Sequence, residues 1–210
     1  MAWISFGAAA LWAAMGAVAA EQVGEPGLTG RDDILYSEDF ETGSSAGTTT
    51  EDPKLVKFGR RSLKVMYTGG EHGVDGEPKV QPKLPKLDQF YVRHYVMFEE
   101  GFDFAAGGKL TGSVNFAPGK RYVAGFGGKP AHGDDGFSCR VCWMSRGRLI
   151  MYTYHADMKG IYGDHFPTKA QFKPGIWQCV ELMIKLNTPG KAAGEKGAND
   201  GEVKLWVDGE

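Results

Sequence analysis

Apolar and polar residues alternate with a period of two in several short runs of this chain. After Ala20 no stretch repeats with the roughly 3.6-residue period of an amphipathic helix. Phe137-Ser138-Cys139-Arg140-Val141-Cys142-Trp143 places apolar side chains at its odd positions, and Leu149-Ile150-Met151-Tyr152-Thr153-Tyr154 does the same with Leu149 and Met151. Residues two apart on a strand share a face, so each run predicts a strand with a core side and an outer side. Between them, Ser145-Arg146-Gly147 reads as a three-residue hairpin loop with glycine in the left-handed position. That loop sets Met144 opposite Arg148, Cys142 opposite Ile150, Arg140 opposite Tyr152 and Ser138 opposite Tyr154. A loop one residue shorter would put the polar pairs on opposite faces.

Further strands are predicted at 34–40, 62–67, 90–98, 177–186 and 203–207. The segments between them are loops: 43–53 is rich in Ser, Thr and Gly, and in 69–85 Pro78, Pro82 and Pro85 exclude helix. The glycine-rich excursion 117–135 is long for a compact domain, as functional loops often are, and would border a cleft. Nothing supplies crossover helices, so the strands predict an all-β antiparallel sandwich. Asp208-Gly209 is a hairpin signal with only Glu210 after it, which reads as a domain incomplete at its C-terminal end.

Met1 to Ala20 carries no charged side chain and closes on Ala17-Val18-Ala19, which fits the small-x-small rule for signal cleavage. The expected organisation is a signal peptide over 1–20, a linker over 21–33 and one domain over 34–210. The run lacks a basic start and is long enough to span a bilayer, so an N-terminal membrane anchor is the alternative. Its many Ala and Gly residues make it weakly hydrophobic and favour cleavage. The expected location is therefore outside the cell or in the periplasm, with no membrane contact after cleavage.

Composition narrows the partners. With 24 basic and 26 acidic residues the net charge is −2, which gives no nucleic-acid signature. A polyanion would have to bind through a local cluster of cations. Cys139 and Cys142 fall on opposite faces of one strand and should not pair with each other. Cys179 lies on a strand that would let it meet Cys139, but three free thiols are the preferred reading. No spacing resembles a zinc site, no metal or cofactor is called for, and a monomer is expected.

The outer face of the hairpin carries the chemistry. A phenol ionises near pH 10, and a neighbouring cation favours its phenolate while also binding a carboxylate. Elimination across a uronic acid needs both services: the carboxylate is neutralised, a base takes the C5 proton and an acid protonates O4. Jelly-roll glycosidases need paired carboxylates on one strand face, yet Glu99-Glu100 and Asp134-Asp135 are adjacent and point oppositely. Among His72, His94, His132, His155 and His165, His155 falls on the core side, and His94 or His165, the latter near the expected cleft, could assist but reads as a bystander.

Four further segments accompany the Ser-x-Arg and Tyr-x-Tyr pairs. They are the stretch from Val96 to Phe104, Gly107-Gly108-Lys109-Leu110, Tyr162-Gly163-Asp164, and Lys185-Leu186-Asn187-Thr188-Pro189-Gly190. In this order they resemble polysaccharide lyase family 14, the alginate and glucuronan lyases, from about Tyr91 to Glu210. The resemblance implies a concanavalin-like jelly roll and β-elimination of uronate polymers. It carries the family's active-site lysine onto Lys109, its serine and arginine onto Ser138 and Arg140, and its tyrosines onto Tyr152 and Tyr154. The expected catalytic set is Lys109, Arg140, Tyr152 and Tyr154, with Ser138, Arg140 and Lys109 binding substrate. Tyr152 is the first choice for C5 base, Tyr154 could share or exchange that role as O4 acid, Ser138 orients a phenol or the substrate, and neutral Lys109 stays open as the base. The alternative function is a non-catalytic carbohydrate-binding module.

Overall fold

The computed structural model describes residues 2–7, 25–28, 30–43, 47–71, 80, 82, 84–105, 107–116, 119, 123–133, 135–190, 195 and 197–210. Ten strands and two short 3-10 turns, Pro53–Leu55 and Ser145–Gly147, occur among them, and no α-helix. The strands are β1 (Ala2–Gly7), β2 (Thr49–Thr50), β3 (Ser62–Tyr67), β4 (Gln89–Phe98), β5 (Gly108–Phe116), β6 (Gly136–Trp143), β7 (Arg148–Tyr154), β8 (Asp164–Gln171), β9 (Gln178–Lys185) and β10 (Glu202–Val207). They form a six-stranded sheet in the order β10-β9-β4-β1-β3-β2 and a four-stranded sheet in the order β5-β6-β7-β8. Every pairing is antiparallel. Among the described residues no helix is long and apolar enough to cross a membrane.

One apolar core joins the sheets, as the alternation requires. Leu63 and Val65 of β3, Val96 and Phe98 of β4, and Val180, Leu182 and Ile184 of β9 face Cys139, Val141 and Trp143 of β6 and Leu149 of β7. Phe98 sits at its centre, with its ring centroid 4.8 to 5.3 Å from those of Phe102, Phe104, Phe172 and Trp143. Edge-to-face aromatic packing of this kind adds directional contact to area burial. The result is the antiparallel jelly-roll sandwich that the sequence implied.

The hairpin register matches expectation at every paired position: Ser138 opposes Tyr154, Arg140 opposes Tyr152 and Cys142 opposes Ile150. Its loop is closed by Met144 N–H donating to Arg148 O at 2.8 Å, with Gly147 at φ 74°. The Asp208-Gly209 turn also forms, with both residues left-handed.

Three expectations change. Residues 34–40 do not form a ladder strand. The Phe40 and Glu41 amides instead donate to the side chains of Glu38 (2.8 Å) and Asp39 (3.0 Å), and Phe40 is left-handed at φ 62°. Such local bonds compete with strand pairing. β5 and β8 were not foreseen: glycines and a bulge between Lys109 and Gly112 break the alternation of β5, and β8 is a largely exposed edge strand that tolerates Pro167. Finally, Ala2–Gly7 lies between β3 and β4, with Ile4 opposite both Val65 and Phe98. Its Trp-Ile-Ser-Phe sequence has the aromatic and β-branched composition of a strand. The rest of the expected signal stretch lies outside the described residues. Cleavage after position 20 would take β1 out of the sheet and leave β3 and β4 without a common ladder.

Candidate active site

The four-stranded sheet presents its polar residues on the face turned away from the core. Gly112, Arg140, Tyr152 and His165 form one row across β5 to β8, and Lys109, Cys142, Ile150 and Pro167 form the next. Two loops, 123–133 and 155–163, lie over this face and build a second apolar cluster of Ala131, Cys142, Ile150, Tyr152 and Tyr154, with Met144 and Met158 against it.

Within this layer the two phenols touch. Tyr152 Oη lies 3.2 Å from Tyr154 Oη, with the rings edge to face at 5.5 Å. Gly128 N–H donates to Tyr154 Oη at 3.0 Å, and Gly163 N–H donates to Tyr152 Oη at 3.3 Å. Lys109 Nζ stands 5.5 Å from the centre of the Tyr152 ring, and the His165 ring lies 5.2 Å from it on the neighbouring strand.

Arg140 owes its place to Gly112 directly across the ladder. A Cβ on Gly112 would fall 2.6 Å from Arg140 Cα and 2.8 Å from Arg140 Cγ, so only glycine lets the arginine lie over β5. Arg140 Nε is buried and has no hydrogen-bond partner among the described residues. An unmet guanidinium N–H inside a protein is costly and marks a place where an acceptor is expected to dock.

The resting state of the phenol follows from its surroundings. Burial pushes Tyr152 up to about 12, and the neighbouring Tyr154 phenol adds to that rise; Gly163 N–H and the Arg140 charge oppose it. Burial likewise pushes the Cys142 thiol up to about 11, against the pull of Lys109 and Arg140. Tyr152 therefore holds its proton at neutral pH, and Cys142 stays a neutral filler.

Four of the five expected residues come together: Lys109, Arg140, Tyr152 and Tyr154. Lys109 is exposed, Arg140 is half-buried, and Tyr152 and Tyr154 are 9% and 1% exposed. Ser138 departs from its expected contact with substrate. It is 0% exposed, and its Oγ donates to Gly125 O at 2.6 Å, beneath the covering loop. His155 also departs from its expected core position. It follows the end of β7, where the alternation stops, and lies half-buried with Nε2 2.9 Å from Asp164 Oδ2. Sequence reasoning gave no role to Gly112, Gly128 or Gly163, and set His165 near the cleft only as a bystander. The first three act through backbone or absent atoms, and the last depends on the unforeseen β8. Among the described residues, no group of three or more His, Cys, Asp or Glu is placed to hold a metal ion. All three cysteines are free.

A glycine-backed arginine, paired phenols and a lysine share the outer face of the jelly roll. A family profile described as Polysaccharide lyase 14 matches residues 56–210, most of the chain, and the chain belongs to that family. The match begins well before Tyr91, where the resemblance read from motifs set in. Among solved structures, the marine PL-14 alginate lyase from Aplysia kurodai is 21% identical, with a TM-score of 0.59 over 77% of this chain and 65% of that one. The alginate lyase vAL-1 from Chlorella virus is 25% identical, with a TM-score of 0.46 over 68% and 60%. The alginate lyase Aly36B, in complex with an alginate tetrasaccharide, is 24% identical, with a TM-score of 0.46 over 58% and 48%. The first of these shows the shared fold. The chain spans 48% to 65% of the lengths of these three proteins. A search of curated proteins found no match.

Proposed function

We propose that this chain cleaves a uronic-acid polysaccharide, alginate or glucuronan, by β-elimination. The observation that carries the reading is the buried Nε edge of Arg140, unmatched beside a protonated phenol and an exposed lysine. A substrate carboxylate docked there accepts the guanidinium bond, and neutralising it acidifies the C5 proton. Arg140, Tyr152, Lys109 and the exposed His165 share the open side of the site. Arginine is no base at any working pH, and burial favours Tyr152 as a proton donor over the base role first expected of it. Lys109, whose Nζ stands 5.5 Å from the centre of the Tyr152 ring, takes the C5 proton in its neutral form. As the C5–H electrons form the C4=C5 double bond, the C4–O4 bond breaks and Tyr152 protonates O4. A reaction that needs a protonated phenol slows as Tyr152 titrates near 12.

The test is to incubate the protein with alginate and with glucuronan and weigh the products. Elimination gives new chain ends lighter by one water than hydrolysis would give. Binding of either polymer with no unsaturated product would instead support the carbohydrate-binding module.

A further inference from the structure

The loop above the phenols has more order than a cover requires. Phe126-Gly127-Gly128-Lys129 forms a tight turn with its two central residues at φ 56° and 78°, closed by Lys129 N–H donating to Phe126 O at 2.9 Å. Positive φ at both central positions defines a type I′ turn, which glycine enters without strain. Its base is fixed twice. Ser138 Oγ donates to Gly125 O at 2.6 Å from a fully buried position. Gly125 itself packs so closely on β6 that a Cβ would lie 2.7 Å from Gly136 C and Phe137 N. From its tip, Gly128 N–H reaches Tyr154 Oη at 3.0 Å. On the other side, Gly163 brings its N–H to Tyr152 Oη at 3.3 Å; a Cβ there would fall 2.8 Å from Thr153 O and from Tyr154 Cδ2.

Each phenol oxygen thus accepts one main-chain N–H, and the pair shares one O–H···O contact of 3.2 Å. Two phenol protons are available and one bridges the pair, so the other must point away from it. Tyr154 is enclosed at 1% exposure, whereas Tyr152 retains 9%. We propose that the Gly125–Lys129 turn, latched by Ser138, fixes the direction of this proton chain: Tyr154 donates to Tyr152, and Tyr152 directs its own proton outward. Tyr152 is then the catalytic phenol, while Tyr154 and Ser138 are positioning residues that act through it. When Tyr152 gives up its proton, the oxyanion is left with two donors already in place, Gly163 N–H and Tyr154 O–H. The kinetic consequence rests on the elimination reading, but the geometric one does not.

Amide hydrogen exchange at Gly128 and Gly163, measured by NMR, tests the geometry without any substrate. Tyr154→Phe removes one oxygen, so it should speed exchange at Gly128 and leave Gly163 protected. Ser138→Ala should also speed exchange at Gly128 with the melting transition intact, and Ser138→Thr, which keeps a hydroxyl, should restore protection. On an alginate or glucuronan substrate, Ser138→Ala should lower kcat roughly 10- to 100-fold through misplacement of the donor, with KM changed by no more than about twofold. Unchanged Gly128 exchange in folded Tyr154→Phe, or wild-type kcat in Ser138→Ala, would overturn the proposal. If the wild-type chain eliminates neither polymer, the proposed function fails while the exchange measurement still decides the latch.

Discussion

The two sheets use the same residue types on their outer faces to different ends. On the six-stranded sheet, Arg93 donates to Glu25 at 2.7 Å and to Glu181 at 2.9 Å, and Tyr95 Oη donates to Glu25 at 2.7 Å, with Cys179 alongside. On the four-stranded sheet, Arg140, Tyr152 and Cys142 form a comparable group, but no carboxylate among the described residues answers the arginine. The first group is closed by the protein's own acids, and burial with its bond to Glu25 holds the Tyr95 phenol far above its ordinary value. In the second, the Arg140 Nε edge has no acceptor among the described residues, and the proposed function puts a substrate acid there. A cation–phenol cluster thus signals ligand chemistry only where its charge is left unanswered. The sheets also differ in how they are assembled. β5 to β8 lie side by side in chain order, whereas the six-stranded sheet interleaves residues from near both ends of the chain.

The comparison breaks most severely at β1. A chain beginning at Glu21 lacks the strand between β3 and β4, so backbone groups along both are left unpaired and several kcal/mol of stability should be lost. Thermal melting of that chain beside the full one checks this. Equal melting, or an exported and folded protein whose N-terminal sequence starts there, would show that β1 is dispensable and favour the cleaved-signal expectation.

On the four-stranded sheet the expected losses are in rate rather than stability. Lys109→Ala should reduce elimination roughly 100- to 10,000-fold, the scale of a removed proton-transfer group, with little change in melting. Arg93→Ala on the opposite sheet should leave the rate alone and cost at most about 1 kcal/mol, because its ion pairs are partly solvent-exposed. Comparable rate losses from both substitutions would erase the distinction between the sheets. Gly112→Ala sharpens it further. The added methyl displaces Arg140, so KM for the polymer should rise by roughly tenfold, about the value of one charge-assisted hydrogen bond, more than kcat falls.

A pH effect tests the core. His94, on the core side of β4, is pushed down to about 4 by burial, whereas in the unfolded chain it titrates near 6.5. Between those values the unfolded chain binds a proton that the folded one does not. The stability linked to His94 is therefore fully present above about pH 6.5 and is lost as pH falls toward 4, by up to about 3 kcal/mol. Denaturant titrations across that window should show the loss in the wild type, and His94→Leu should flatten it.

The hairpin was legible because alternation and turn length are both local, and together they fix which side chains meet. The same reading placed Ser138 on the right face, but nothing in its spacing told what would cover that face. The loop that claims its hydroxyl is brought there by a turn of Phe126-Gly127-Gly128-Lys129, whose glycines read only as a long excursion. β5 stayed hidden because Gly108 removes a core-side apolar position and the bulge before Gly112 breaks the alternation, although Gly112 is what admits Arg140. Residues 34–40 misled for the opposite reason. Ile34, Tyr36 and Phe40 suggest a strand, but Glu38 and Asp39 draw the backbone amides into local turns. The six-stranded sheet depends on pairings such as β1 with β3 and β4, which no local pattern encodes.

The most direct test of the central claim is the ultraviolet absorbance of unsaturated uronate formed from alginate and glucuronan by the wild-type chain and by Tyr152→Phe. The account expects a steady rise with the wild type on at least one polymer. It expects a loss of roughly 100-fold or more when the phenolic proton is removed and the ring is kept. No rise on either polymer, or an equal rise from Tyr152→Phe, would contradict it.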